Sequence, residues 1–298
     1  MHMRPVAAAA GVLVGLTAFS LPAAAAQAAD HSNRPVTVAH RGASAYAPEN
    51  TIAAINAAHR MGIDWVENDV QRTKDGKLIV MHDTTLNRTT NVEELYPDRS
   101  PWKISDFTLS EIRKLDAGSW FGAKFKGERV PTLERYMDAV SHNHQKLLLE
   151  LKSPELYPGI EAQTIKELKR EGWMDRRHVK NRLIIQSFNA DAVKKVHELR
   201  PDVKTGFLGT PAVADLPKYA KFADQINPSH TTVNMAYVSA VHAFAGAHGR
   251  PLEVYTWTVN DADTAKKVAG WGVDGIITNK PDVVRDAVKD AGFSVPAA

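Results

Sequence analysis

Short apolar runs alternate along this chain with longer stretches whose apolar residues recur every three or four positions. Residues 36–39 form a β-rich run ending at His40. Residues 50–61 follow, with Ile52, Ile55 and small alanines on one face and Gly62 as the stop, which is the pattern of an amphipathic helix. Residues 64–70 read as a second strand, and the two-residue period puts Trp65, Glu67 and Asp69 on one of its faces. A turn at 74–77 leads to a third strand, 78–81, ending at His82. Later strands are expected at 146–151, 183–187, 204–208, 225–227, 252–257 and 275–278. Amphipathic helices are expected at 133–140, 158–170, 190–199, 236–248, 262–268 and 281–291. Repeated strand-then-helix order predicts a mainly parallel sheet, an α/β fold of the (β/α)8 barrel type.

Nine strand candidates are one more than such a barrel closes with. Either one is an accessory strand or the run at 225–227 is misread. The link between the second and third strands is also too short for a crossover helix, so that part must leave the regular pattern. After the third strand, residues 84–131 contain Pro97, Pro101, Gly118, Gly122 and Gly127 and show no sustained period. They read as a loop-rich insertion. No linker rich in Gly, Ser or Pro divides the remainder, which predicts one domain over 29–298.

Residues 1–28 depart from all this. Arg4 precedes an apolar stretch from Val6 to about Leu21, and Ala26-Gln27-Ala28 has the small-x-small form of a cleavage site. This is the pattern of a secretory signal peptide, and the stretch is too diluted by alanine, Gly11, Gly15, Thr17 and Ser20 to favour a retained anchor. The rest is expected to be exported and soluble, with no stable membrane insertion.

Composition removes several functions. With 37 basic and 34 acidic residues the formal charge is +3, and no basic run occurs, so a nucleic-acid surface is not expected. There is no Cys, so disulfides, thiolate metal sites and cysteine nucleophiles are excluded, and any metal must be held by His, carboxylate or carbonyl groups.

In a parallel barrel the loops after the strand C-termini build the active site. Those places here carry His40 and Arg41, Glu67 and Asp69, His82 and Asp83, Glu150 and Lys152, and Trp257. Two carboxylates pointing into a barrel from one strand need a cation between them. Glu150, at the end of an apolar leucine run, makes an all-oxygen trio that selects a hard cation, Mg²⁺ or Ca²⁺. Arg41 and Lys152 are phosphate partners or, alternatively, salt-bridge partners of the same carboxylates. Trp257 is either barrel core or a surface for the apolar part of a substrate. Asp83 either fixes the tautomer of a neighbouring His or caps its loop.

The ordered segments His40-Arg41-Gly42-Ala43-Ser44, Pro48-Glu49-Asn50-Thr51, Glu67-Asn68-Asp69-Val70, His82-Asp83, Arg88-Thr89-Thr90, Val130-Pro131-Thr132-Leu133-Glu134 and Glu150-Leu151-Lys152 resemble the glycerophosphodiester phosphodiesterase family. That family is a branch of the phospholipase-C-like barrels. Gln186-Ser187-Phe188, Trp257-Thr258-Val259-Asn260 and Gly272-Val273-Asp274-Gly275-Ile276-Ile277-Thr278 extend the resemblance over nearly all of 36–285. One departure is Asn279, where the family usually has Asp. The resemblance implies that Glu67, Asp69 and Glu150 bind the divalent ion and that His40 and His82 are the acid–base pair. It also implies that Arg41 and Lys152 hold phosphate and that Phe188 and Trp257 line the pocket. The implied reaction is hydrolysis of a glycerophosphodiester to glycerol 3-phosphate and an alcohol such as choline or ethanolamine. Competing expectations are lysophospholipase D activity, with the aromatics of the insertion (Trp102, Phe107, Trp120, Phe121, Phe125) as a membrane rim, a teichoic-acid phosphodiesterase, and a non-catalytic phosphate-ester binding protein.

Overall fold

The computed structural model describes residues 34–292, so the signal segment expected over 1–28 lies outside the described residues. Among the described residues there are nine strands: β1 (Val36–Ala39), β2 (Trp65–Arg72), β3 (Leu78–Val80), β4 (Lys146–Leu151), β5 (Leu183–Ser187), β6 (Lys204–Leu208), β7 (Gln225–Asn227), β8 (Glu253–Thr256) and β9 (Gly275–Thr278). Eight of them run parallel in the order β1-β9-β8-β7-β6-β5-β4-β2, and β1 pairs back onto β2 to close the barrel. The ninth is β3, which lies antiparallel on β2 with Val70 opposite Val80 and Arg72 opposite Leu78. The accessory strand is therefore the one reached through the short turn, and the run at 225–227 is a barrel strand.

Alternation along the strands builds two layers. On β4, Leu147, Leu149 and Leu151 face outward. With Val66 and Val70 of β2 they pack under helices Ile52–Arg60, Leu133–His142 and Ile160–Arg170. Leu148 faces inward and meets Val38, Ile184, Tyr255 and Ile277 in the barrel interior, with Trp65 and Trp257 packed against them. The helices start where short polar side chains cap them after the strand exits. Thr51, Thr132, Asn189, Asn234 and Asp261 each accept the backbone N–H three residues on. Every such cap fixes where a loop at the barrel mouth ends.

The insertion is more ordered than its sequence suggests. Leu86, Val92, Ile104, Phe107, Ile112 and Leu115 are all buried, and they form a separate small core with Ile79 and Met81 at the end of β3. Phe107 is buried, Trp102 Nε1–H donates to Tyr96 O, and Phe125 packs against the main core. Of the aromatics expected as a membrane rim, Trp120 alone is exposed, at 41%. Trp102, Phe107 and Phe125 pack the insertion together or onto the barrel, and Phe121 stacks edge to face with Trp120 and Phe125, so the rim reading is not favoured. Among the described residues no helix is long and apolar enough to cross a membrane.

Candidate active site

Glu67 and Asp69 lie two residues apart on β2, so both point into the barrel near its mouth. The β2–β4 register then sets Asp69 opposite Glu150. All three carboxyl groups are buried, and one oxygen from each lies within 4.8 Å of the others. Such a cluster is electrostatically untenable as three bare charges. Burial, then the neighbouring Asp69, pushes Glu150 up to about 8. Burial, Asp69 and Glu150 push Glu67 well above the usual carboxylate range. Asp69 stays below its ordinary value despite burial because Arg41, His82 and Lys152 surround it. Two carboxyls thus hold protons that a divalent cation would replace, and an all-oxygen donor set suits a hard ion. The trio fits a divalent cation.

Two basic side chains share this centre. Lys152 Nζ is 3.1 Å from Glu150 and 3.9 Å from Asp69. Arg41 sits in the left-handed region (φ 56°), which aims its backbone N–H at Glu67 Oε2, 2.8 Å away. Its Nε is 3.4 Å from Asp69 but makes no hydrogen bond, leaving a buried donor for a substrate oxygen. The salt-bridge alternative for both residues is therefore what the geometry contains, and both remain at the mouth of the pocket. Gly42 follows at φ +80°, and a Cβ there would lie 2.6 Å from Ala54 Cβ, so the turn after β1 can close only on glycine.

The two histidines present their rings to the same pocket but are held differently. His40 Nδ1 is 2.7 Å from Asn279 Oδ1, an atom that also accepts from Ser44 Oγ–H. With the proton on Nδ1, Nε2 carries the lone pair and stands 4.0 Å from Glu67. Burial, then Arg41, lowers His40 to about 4. His82 Nδ1 is instead 2.8 Å from the Asp83 carboxylate, which answers the open question about Asp83. Asp83 is held at about 2, first by its hydrogen bonds to Arg88.

Eight of the nine predicted site residues, His40, Arg41, Glu67, His82, Glu150, Lys152, Phe188 and Trp257, line one cavity of about 120 Å³. Asp69 is buried and stands opposite Glu150 in the β2–β4 register. Sequence reasoning gave no role to four residues that hold this arrangement. Asn50 Nδ2–H donates to Asp69 Oδ2 (2.9 Å). The buried Gln71 amide donates to the carbonyls of Met81, His82 and Asp83, pinning the His82 loop. Arg88 bridges Asp83 and Glu49, and Glu49 in turn accepts from Arg41 Nη1. Asn50, Glu49 and Arg88 all stood in matched motifs, which was the available signal.

A (β/α)8 barrel whose mouth joins a buried acidic trio, two cationic side chains and two histidines defines a phosphodiester hydrolase. The comparisons make the class specific. The sequence profile described as the Glycerophosphoryl diester phosphodiesterase family matches residues 40–283, and the chain belongs to that family. A glycerophosphodiester phosphodiesterase of Bacillus subtilis is 37% identical over 271 residues, covering 86% of this chain and 87% of its own. One from Caldanaerobacter subterraneus is 36% identical over 269 residues, covering 87% and 100%. Among solved structures, an Oleispira antarctica phosphodiesterase in complex with the product sn-glycerol-3-phosphate superposes with a TM-score of 0.73 at 29% identity, over 86% of this chain and 97% of that one.

Proposed function

We propose that this chain is an exported enzyme that hydrolyses glycerophosphodiesters to glycerol 3-phosphate and an alcohol. Glu67, Asp69 and Glu150 hold one divalent cation, Mg²⁺ or Ca²⁺. The observation that carries the reading is the placing of two histidines with differently fixed Nδ1 atoms beside a carboxylate trio and two cationic side chains. The product bound in the Oleispira antarctica relative supports the same substrate class, and the signal-like pattern of residues 1–28 supports export.

The division of labour follows from the ring partners. His40, neutral and with Nε2 free of a proton, takes the proton of the substrate's 2-hydroxyl as that oxygen attacks phosphorus. His82, bonded to a carboxylate, hands a proton to the departing alcohol oxygen. Water then opens the resulting cyclic phosphate with the two roles exchanged. Arg41 and Lys152, placed beside Asp69 and Glu150 at the pocket mouth, bind the phosphate oxygens. Phe188 and Trp257, edge to face at 5.5 Å, wall the pocket and limit water. When bound, the cation supplies Lewis acidity that favours ionisation of the hydroxyl and offsets charge on the phosphate.

The test is product analysis with purified enzyme. A glycerophosphodiester should release glycerol 3-phosphate and the free alcohol, and its 2-deoxy analogue should bind as a competitive inhibitor without turnover. Comparable hydrolysis of the deoxy analogue would contradict attack by the 2-hydroxyl.

A further inference from the structure

A chain of amide side chains crosses the barrel interior and ends at one wall of the catalytic pocket. The two-residue period puts Gln186 of β5, Gln225 and Asn227 of β7 and Glu253 of β8 on the inner face of the sheet. All three amides are buried. Lys204 and Glu253 are the first residues of β6 and β8, so they lie at the end of the barrel opposite the mouth, where Lys204 Nζ is 2.5 Å from Glu253 Oε1. Gln225 Nε2–H donates to Glu253 Oε2 (2.8 Å). Asn227 Nδ2–H donates to Gln225 Oε1 (3.3 Å) and to Gln186 Oε1 (2.9 Å). Gly206 stands between Gln186 and Gln225 in register and leaves room for these bonds. A Cβ there would lie 2.8 Å from Asn227 Nδ2 and 3.3 Å from Gln225 Oε1. Gln186 itself lines the catalytic pocket.

The direction of these bonds is fixed from two sides. A carboxylate paired with Lys204 can only accept, so Gln225 turns its NH2 toward Glu253 and its oxygen toward Asn227. The backbone N–H of Tyr255 can only donate, and Asn227 Oδ1 accepts it at 3.2 Å, so Asn227 presents its NH2 to the two glutamines. Gln186 must meet that donor with Oε1, which leaves its Nε2 without a hydrogen-bond partner among the described residues. That nitrogen is not sealed in the core, although the residue is only 2% exposed. Buried amides are normally satisfied. One whose free donor opens on a catalytic pocket is a donor for a ligand.

We infer that Gln186 is a further substrate-binding residue, whose Nε2 donates to a non-bridging phosphate oxygen of the glycerophosphodiester. The inference rests on the proposed function and deepens it. Gln186 stands opposite Glu150 in the β4–β5 register, and Lys152 Nζ lies 3.1 Å from that carboxylate. In a cavity of about 120 Å³, a phosphate held by Lys152 lies beside the amide. A non-bridging oxygen only accepts, so it suits a donor of fixed direction. A glycerol hydroxyl both donates and accepts, and gains nothing from that direction. Arg41 and Lys152 face the carboxylates as well as the phosphate. The Gln186 amide is neutral, so it adds a preorganised donor to the charge growing on phosphorus without being drawn to Asp69 or Glu150. Asn227, Gln225 and Glu253 touch no substrate and are positioning residues.

The test compares a glycerophosphodiester with the two diastereomers of its phosphorothioate at saturating Mg²⁺. Sulfur, a weaker acceptor, replaces one non-bridging oxygen or the other. Gln186→Met has a similar shape and no donor, and should lower kcat with the oxygen ester on the order of 10²-fold. It should also shrink the oxygen-to-sulfur rate ratio for one diastereomer and leave the other's unchanged, which a merely structural role would not do. Gln186→Glu keeps an acceptor for Asn227 but turns a carboxylate oxygen to the phosphate, and should be slower still. Asn227→Leu leaves the amide unanchored and should shrink the same ratio. Both ratios unchanged in Gln186→Met, or Gln186→Glu faster than Gln186→Met, overturns the phosphate contact, the second result pointing to a hydroxyl. The proposed function then stands, since the parent enzyme still releases glycerol 3-phosphate. If Gln186→Met does not fold, Gln186→Glu decides alone, and parent-like kcat in it overturns the contact. An unchanged ratio in Asn227→Leu overturns the orienting chain. No glycerol 3-phosphate from the parent enzyme overturns both readings.

Discussion

As the proposed base, His40 depends on a single side-chain atom of Asn279. Its Oδ1 accepts from His40 Nδ1, as a carboxylate would, and this bond favours the imidazolium, but a neutral amide brings no full charge to it. Burial, then Arg41, outweigh that bond and the nearby Asp69 and Glu49 and lower His40 to about 4. Asn279→Asp would supply the missing charge, favour the imidazolium and raise the His40 pKa, by roughly 1–3 units for a carboxylate in direct contact. Because His40 must be neutral to accept a proton, the acidic limb of kcat/KM against pH should move to higher pH in that variant. A pH profile that superimposes on the parent's would show that His40 is not the base. The departure at this position was legible in the sequence; its consequence was not, because the partner of Asn279 lies 239 residues away at the exit of β1.

At the scale of elements, the insertion acts as a clamp on the mouth. Arg88 reaches from it to bond Asp83 through Nε and Nη2, and Glu49 through Nη1 and Nη2, tying the β3 exit to the loop after β1. Asp83 orients His82 and Glu49 holds Arg41, so one guanidinium positions groups on both sides of the phosphate site. Arg88→Ala should lower kcat on the order of 10²-fold, the scale of loss when a catalytic group shifts by an ångström. Its pairs are partly solvent-screened, and their loss should change unfolding free energy by no more than about 1 kcal/mol. Steady-state kinetics beside a denaturant melt separates the two, and a large fall in stability with kcat retained would contradict the clamp. The element pattern explains what the sequence could and could not disclose. The antiparallel β3 was foreseeable, because residues 73–77 cannot hold a crossover helix. The order within 84–131 was not, because Leu86, Val92, Ile104, Phe107 and Ile112 reach a common core from short turns, with no shared period. The cis peptide between Trp257 and Thr258 has no counterpart in any residue pattern. His40, Arg41, Glu67, Asp69, Glu150, Lys152 and Trp257 could be placed together from sequence because strand exits in a closed parallel barrel converge. His82 is instead brought there by antiparallel pairing of β3 on β2, and Phe188 stood out only through its motif.

Across the whole molecule, the acidic trio couples stability to pH and to cation. Glu67 and Glu150 are raised, so in the cation-free protein the folded chain keeps protons that the unfolded chain releases above its ordinary value of 4.5. The stability contributed by these neutral carboxyls is fully present below that value and is lost as pH rises through about 8 for Glu150. Asp69 is lowered and acts oppositely, contributing above its ordinary 3.8 and losing that contribution only in acid. The cation-free protein should therefore melt at progressively lower temperature from about pH 5 to about pH 8, and Mg²⁺ or Ca²⁺ should remove most of that slope. Glu150→Gln should flatten it without added ion. A melting temperature independent of pH over this window in the cation-free protein would contradict the buried, proton-holding trio.

The most direct measurement of the central claim is glycerol 3-phosphate release by enzyme dialysed exhaustively against chelator, then given back single ions. The trio predicts no turnover in chelator and recovery with Mg²⁺ or Ca²⁺ at one ion per chain. It also predicts that Glu150→Gln needs a much higher ion concentration for any recovery. Undiminished glycerol 3-phosphate release in excess chelator would contradict the assignment of Glu67, Asp69 and Glu150 as the centre of this active site.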